Sequence, residues 1–403
     1  MKSKEDEGPP SEASLYRDPN LQIVFGVALI AVLRSDSISP AFPAIARQLG
    51  VSSQSVGLLI TAFALPSVIL TPVLGVLADR WGRKRVLVPS LLLFGLAGGA
   101  CALARDFNIL LALHLIQGIG AASLSMLNIT LIADLFRGKE LTTAMGYNAS
   151  VRSMGSTIYP LISGALATLA WFYPFALALL AIPVALLVLL RLENPEPDGQ
   201  QRLGAYLQQM AQSLKTREVF ALFSAGAIVF MIMFGAYLAY FPFLMEAKFG
   251  TAAMGIGLFI SARALINAAI ASQLGRMANR WAVSSLLKVS FLLYALFFVL
   301  APFAASLWVI GLLTLLLGTA EGLYWPSSQV ILGRLAPMQH RAGFMASNDM
   351  VLKIGQTTGP LIMGAAFVAG GVSGAFLLAA LLALLAFGVL TMLLKPGGNV
   401  AAT

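Results

Sequence analysis

The stretch GVLADRWGRKR, Gly75 to Arg85, lies between two long apolar runs, and a shorter version of it, GRMANRWA, begins at Gly275, 200 residues further on. A basic turn repeated at that distance points to a duplicated unit. Working outward at the same offset, Gly118 matches Gly318, Asn148 matches Asn348, and GSTIYPLISG from Gly155 matches GQTTGPLIMG from Gly355. FPAIARQLG at Phe42 answers FPFLMEAKFG at Phe241, slipped by one residue before Gly50 and Gly250 come into step. The match runs through six apolar segments at nearly constant register, so each half of the chain is one copy of a six-helix unit. Two such units around a common axis form a site that can open to either side in turn.

With 59% hydrophobic and 11% charged residues among 403, the chain has more apolar surface than a soluble domain buries, so the solvent is lipid. Twelve windows of about 20 to 28 residues are long enough to cross roughly 30 Å of hydrocarbon. They are 21–43, 54–76, 85–104, 107–133, 141–168, 170–191, 218–245, 252–275, 284–304, 306–333, 341–368 and 372–395. The expected fold is all-α and integral to the membrane, with twelve transmembrane helices in two pseudo-symmetric bundles, 21–191 and 218–395. Residues 1–20 are polar and Pro-rich and read as a disordered cytoplasmic tail without a cleavable leader. Residues 396–403 read as a second tail. In the connection 192–217, Leu203, Tyr206, Leu207, Met210 and Leu214 recur at helical spacing. This suits an amphipathic helix on the membrane surface, with a soluble tether as the alternative.

The net charge of +9 raises nucleic acid as a partner, and the placement of the charges rejects it. Roughly eighteen of the 26 Lys and Arg fall in or beside the loops of one face, against Arg47, Arg105 and Lys248 on the other. By the positive-inside rule both termini are expected in the cytoplasm of a cell whose inner or plasma membrane the chain spans. The one cysteine, Cys101, lies in an apolar span and reads as packing. No phosphate-binding GxxxxGK[ST] sequence and no His/Cys cluster occurs, and the histidines are His114 and His340. Neither an enzyme, a metal nor a bound cofactor is expected.

These residues resemble the major facilitator superfamily, and within it the twelve-helix drug/proton antiporters. Gly75, Asp79, Arg80, Gly82, Arg83 and Lys84 stand as in the superfamily's signature between helices 2 and 3. Asp36, Pro40, Pro43, Leu49, Gly50 and Ser52 are similar to the antiporters' D-x-x-x-P-A-L-P…L-G-x-S stretch. Gly146, Gly155, Pro160 and Gly164 fit the helix-5 antiporter motif, in which Tyr159 and Ser163 replace glycines; His114 stands where the helix-4 motif has arginine. The resemblance implies a monomeric transporter in which the signature residues latch the cytoplasmic side when the other side is open. Read from the residues alone, Gly75 and Gly82 provide tight turns and Asp79 pairs with an arginine or a helix end; the bland alternative is a basic loop that only sets topology.

Charges inside the spans each cost roughly 2.5–3.5 kcal/mol at a helix centre, so they need partners or water. They are Arg34, Asp36, Arg152, Arg263, Glu321, Asp349 and Lys353, and together they imply a hydrated central cavity. On a regular helix, Arg34 and Asp36 point about 200° apart. Asp349 and Lys353, four apart, form either an ion pair or part of a site. Arg152 shares a stripe with Asn148, Ser156 and Tyr159 that reads as cavity lining. Glu321, Tyr324, Trp325 and Ser328 form a candidate substrate face, with Tyr237, Tyr240, Arg263 and Asn267 as the opposite wall; packing is the alternative for each. Asp36 is the leading proton carrier, since a carboxylate in a low-dielectric cavity titrates toward neutrality, unless it is the permanent partner of an arginine such as Arg152. Glu321 follows, and His114 turns the motif's constant charge into a conditional one, or simply packs.

The expected function is therefore secondary transport by alternating access, with the proton as coupling ion: efflux of a small amphipathic compound. The alternative, favoured by the excess of intramembrane cations, is movement of an anionic metabolite or a lipid with a charged headgroup.

Overall fold

A computed structural model describes residues 15–33, 35–193, 216–336 and 341–394, without the side chains of 35, 36, 341–343 and 346. Both tails and the proposed surface helix in 194–215 lie outside the described residues. The chain is helical, and its helices follow the twelve expected spans. We number them α1 (Pro19–Val32, resuming at Ser35–Ile38 and ending in Phe42–Leu49), α2 (Ser53–Trp81), α3 (Arg83–Cys101), α4 (Phe107–Ala121 with Leu124–Leu135), α5 (Gly138–Leu169) and α6 (Tyr173–Ala176 through Ala181–Arg191). The second half repeats them as α7 (Arg217–Ile232 through Leu238–Phe249), α8 (Ala253–Ser272), α9 (Val283–Leu300), α10 (Leu307–Leu335), and α11 and α12, which share Arg341–Leu393. The last two separate at Gly370 and Gly371, where φ of +60° at Gly371 ends the helical run.

The duplication seen in sequence recurs as matched helix contacts. A Cβ on Gly118 of α4 would lie 2.2 Å from the Phe63 carbonyl oxygen of α2, and one on Gly318 of α10 would lie 2.8 Å from that of Arg263 in α8. These glycines let the backbones of paired helices approach closely, which is how helices associate in lipid without a hydrophobic drive between them. Both first helices end in a left-handed glycine, Gly50 at φ +64° and Gly250 at φ +63°.

The first helices also depart from regularity at matched positions. α1 breaks at Leu33 (φ −77°, ψ 77°), and α7 widens into a π-turn over Met233–Tyr237. The continuous helix expected over 21–43 is therefore wrong, and with it the angular argument separating Arg34 from Asp36.

Between the halves, α5 packs along α8 and α2 along α11. The hydrogen bonds, ion pairs and glycine contacts joining the halves fall at one end of these pairs. Ser39 Oγ donates to the Leu238 carbonyl at 2.6 Å, Thr61 Oγ1 to the Thr357 carbonyl at 2.9 Å, and Arg47 pairs with Glu246. Gly164 sits on Ala253 and Met254, and its counterpart Gly364 sits on Gln54 and Tyr240. One hydrophobic core crosses the interface here, taking Phe42, Ile60, Phe107 and Trp171 from the first half and Tyr240, Phe241 and Ile256 from the second. A separate core fills the rest of the first bundle. At the other end, which bears the turn at Gly82, no such bond joins the halves among the described residues. The buried residues of α8 run from Ile256 to Ala264, and Leu265–Ser272 are half-buried or exposed, so the described halves are sealed at one end and parted at the other.

Candidate functional site

The space between the bundles is where the intramembrane charges meet. Asp349, on α11, is exposed despite its depth in the membrane helix. The fields of Lys353, one turn along, and of Arg152, on α5 of the other bundle, both reach it. Asp349 therefore lies on the face of α11 turned toward the first half. Lys353 Nζ donates to Gln356 Oε1 at 3.5 Å. Asp349 and Lys353, four apart on α11, are thus two members of an electrostatic group whose third, Arg152, belongs to the opposite bundle. Sequence spacing gives the first relation and cannot give the second.

In the second bundle Arg263 is buried and forms an ion pair with Glu321 across α8 and α10. Its guanidinium also lies over the Tyr237 ring, 5.3 Å from the centroid, a stabilising cation–π contact. Glu321, a candidate proton carrier by sequence, is held by a permanent cation. Asn267, one turn from Arg263, is half-buried, and its carbonyl meets α10 at Gly322. Tyr324 is buried, whereas Trp325 is 41% exposed and stands 6.0 Å from the Phe230 ring of α7. Of the aromatic residues in the stripe on α10, Trp325 is the exposed one.

Four expectations need correction. Tyr237 and Tyr240 do not line a cavity wall, being 1% and 0% exposed. Tyr240 stacks on Phe367 at 4.6 Å inside the seal, and Tyr237 stacks on Phe241. Asn148 and Tyr159 are likewise buried: Asn148 Nδ2 donates to Asn128 Oδ1 at 2.9 Å, and Asn128 Nδ2 to the Val24 carbonyl at 2.9 Å. This chain ties α5 to α4 and α1. The periodicity of α5 shows a polar stripe, but not that the polar partner waits on a neighbouring helix. Asn148→Leu is expected to cost about 1–3 kcal/mol by stranding Asn128, read as a lowered melting temperature with substrate affinity unchanged. A stable variant that has lost affinity would return Asn148 to the cavity.

His114 is the third correction. It is 1% exposed and packed inside the first bundle, 5.1 Å from the Phe63 ring and 5.9 Å from that of Phe175. Its surroundings are those of the packing alternative.

The fourth concerns the signature stretch. Asp79, Arg80 and Trp81 are the last turn of α2 rather than loop, and the reversal is made by Gly82 alone, at φ +96°. Gly75 makes no turn; it lies inside α2, where a Cβ would meet Met126 of α4 at 3.1 Å. Arg83 pairs with Asp79 and also with Asp134, at the end of α4, at 2.9 Å. Lys84 Nζ donates to the Leu192 carbonyl at 3.0 Å, capping α6. Sequence reasoning misses Asp134, because α4 reveals no partner for it until the fold brings α3 alongside. All these bonds stay within the first bundle.

Arg34 and the side chain of Asp36 lie outside the described residues. The backbone places Asp36 in the short helix Ser35–Ile38 just after the break in α1.

Comparison with known proteins agrees with this architecture. The model of the Major Facilitator Superfamily matches residues 24–282 and 225–401. Multidrug resistance protein 1 of Bacillus subtilis is 29% identical over 86% of this chain and 89% of its own length. Multidrug resistance protein 2 of the same organism is 26% identical over 94% and 96%. The Bacillibactin exporter of B. subtilis is 27% identical over 57% of this chain, which spans only 60% of that relative. Among solved structures, the nucleoside transporter NupG has a TM-score of 0.77 at 15% identity, covering 94% of this chain and 99% of its own. A bacterial homolog of the lysosomal transporter Spinster, in an inward-facing and occupied conformation, has 0.78 at 16%, covering 97% and 98%. The two repeated bundles, the turn at Gly82 and the matched family model place this chain in the Major Facilitator Superfamily, as a multi-pass membrane transporter of small molecules and not an enzyme.

Proposed function

We propose that the protein exports small amphipathic compounds from the cell in exchange for protons, as a single chain with both termini in the cytoplasm. The observation that carries the reading is the position of Asp349, open to the space between the bundles and within the field of Arg152 across it. A carboxylate so placed ties the two halves together electrostatically while ionised, and a proton arriving on it weakens the tie, so protonation and opening become linked. Asp36, just beyond the break in α1, keeps the proton-carrying role argued for a carboxylate in a low-dielectric cavity. Trp325 supplies an exposed aromatic surface for the apolar part of a substrate. The names of the multidrug relatives support efflux over uptake.

A second reading, transport of an anionic metabolite or a charged-headgroup lipid, is favoured by the group of Arg152, Lys353 and Asp349, which carries one more positive charge than negative when all three are ionised. Purified protein in liposomes with an imposed pH gradient separates the two. Lipophilic cations, organic anions and fluorescent lipids are added side by side, and the class that dissipates the gradient is the substrate class. Asp36→Asn and Asp349→Asn are each expected to lower the coupled proton flux by about tenfold or more while the protein stays folded. Undiminished proton flux in both variants would overturn the coupling mechanism.

A further inference from the structure

The two copies of the signature turn differ in an informative way. In the first copy, Arg83 is taken up by Asp79 and Asp134, and Lys84 by the end of α6. In the second copy the residues at the corresponding places are Asn279 for Asp79, Ala282 for Gly82, Val283 for Arg83, Ser284 for Lys84 and Arg334 for Asp134. Each group that the first bundle uses internally has changed. Besides Gly75 and Ala78, what stays identical is the pair Arg80–Trp81, as Arg280–Trp281.

These are the residues that neither bundle uses. Trp81 is 57% and Trp281 62% exposed, and Arg80 and Arg280 are exposed as well. Among the described residues neither arginine side chain has a hydrogen bond, ion pair or ring contact. A second unbonded cation stands within the next two turns in each case, exposed Arg85 in α3 and half-buried Lys288 in α9. Both pairs sit at the parted end of the protein, where α2 and α8 finish and the apolar spans give way to turns. What the pairs share is thus not a contact inside the protein but the medium outside both bundles at that depth.

The chemistry of that medium identifies the occupant. A tryptophan at the end of a membrane span settles where hydrocarbon meets headgroup, and an arginine beside it presents a fork of donors that matches a phosphodiester. We infer that Arg80–Trp81 with Arg85, and Arg280–Trp281 with Lys288, are twin binding sites for anionic phospholipid headgroups in the leaflet that faces the Gly82 turn. A lipid held at each turn holds the parted ends of the two bundles against the membrane surface.

The test uses the full chain purified in a zwitterionic detergent, with phosphatidylglycerol and phosphatidylcholine added separately and bound lipid counted by native mass spectrometry. Wild type is expected to retain up to two phosphatidylglycerol molecules in preference to phosphatidylcholine. Arg80→Gln and Arg280→Gln are each expected to remove one, weakening that site about fivefold per charge lost, and the double variant both. Arg80→Lys with Arg280→Lys, which keeps the charge, is expected to restore most of the binding and guards against loss through misfolding. Glycerol phosphate, which has the anion without the acyl chains, is expected not to compete. Equal retention of the two lipids, full retention by the double glutamine variant, or displacement by glycerol phosphate would each overturn the assignment.

Discussion

Gly257→Leu is expected to open the sealed end of the protein without unfolding it. A Cβ at 257 would lie 2.3 Å from the Pro160 carbonyl oxygen and 3.2 Å from the Gly164 Cα, both in the other bundle. Overlap with backbone has no flexible side chain to absorb it, so α5 and α8 must separate at this end. The contact is between bundles and not within one, and alternating access, typical of the superfamily, requires a second arrangement in which these surfaces part. The clash is therefore relieved by shifting the conformational equilibrium. The readout is a cysteine placed at Ala41, which is 0% exposed in the core that crosses the interface, with Cys101 replaced by alanine. Membrane-impermeant maleimide is expected to label it several-fold faster in Gly257→Leu than in the parent. Unchanged labelling in a folded variant would show that the seal tolerates the side chain.

Gly118→Leu presents nearly the same overlap and is expected to have the opposite outcome. Its Cβ would fall 2.2 Å from the Phe63 carbonyl oxygen, but α2 and α4 belong to one bundle and share its core. They have no alternative arrangement, so the clash is paid in stability, about 3 kcal/mol out of a total that for folded domains is commonly about 5–15 kcal/mol. Poor recovery of monodisperse protein and a lowered melting temperature are the expected results. Wild-type melting for this variant would mean that the close approach of α2 and α4 is not a requirement of the fold.

The contrast between these glycines shows what a sequence carries and what it withholds. Twelve spans, their order and the two-fold repeat are legible, because a membrane helix must be both long and apolar and the copies keep register from Gly118 and Gly318 to Gly164 and Gly364. That Gly118 packs within a bundle and Gly257 between bundles is not legible, since both are glycines in apolar helices. The break at Leu33 and the π-turn at Met233 are hidden for a related reason: neither LRSDS nor MFGAY contains a proline to mark it. Among site residues, the charges can be found and their partners cannot. Arg263 and Glu321 stand out as costly in lipid, yet their pairing needs α8 beside α10. Tyr237 and Tyr240 look like cavity lining because aromatic residues at helical spacing serve equally as packing, and here burial decides for packing. Arg47 and Glu246, which join the halves at the seal, read only as loop-edge charges.

The central claim is that the two bundles rock about a shared interface, with one end closing as the other parts. Spin labels on a Cys101→Ala background measure this directly, one pair at Gln48 and Ala247 beside the seal and another at Thr142 and Ser272 near the parted end, all four exposed. On changing pH or adding a transported compound, the account predicts that the first distance lengthens while the second shortens, within the same population. Distances that lengthen together, or a seal distance that never changes while transport proceeds, would contradict it.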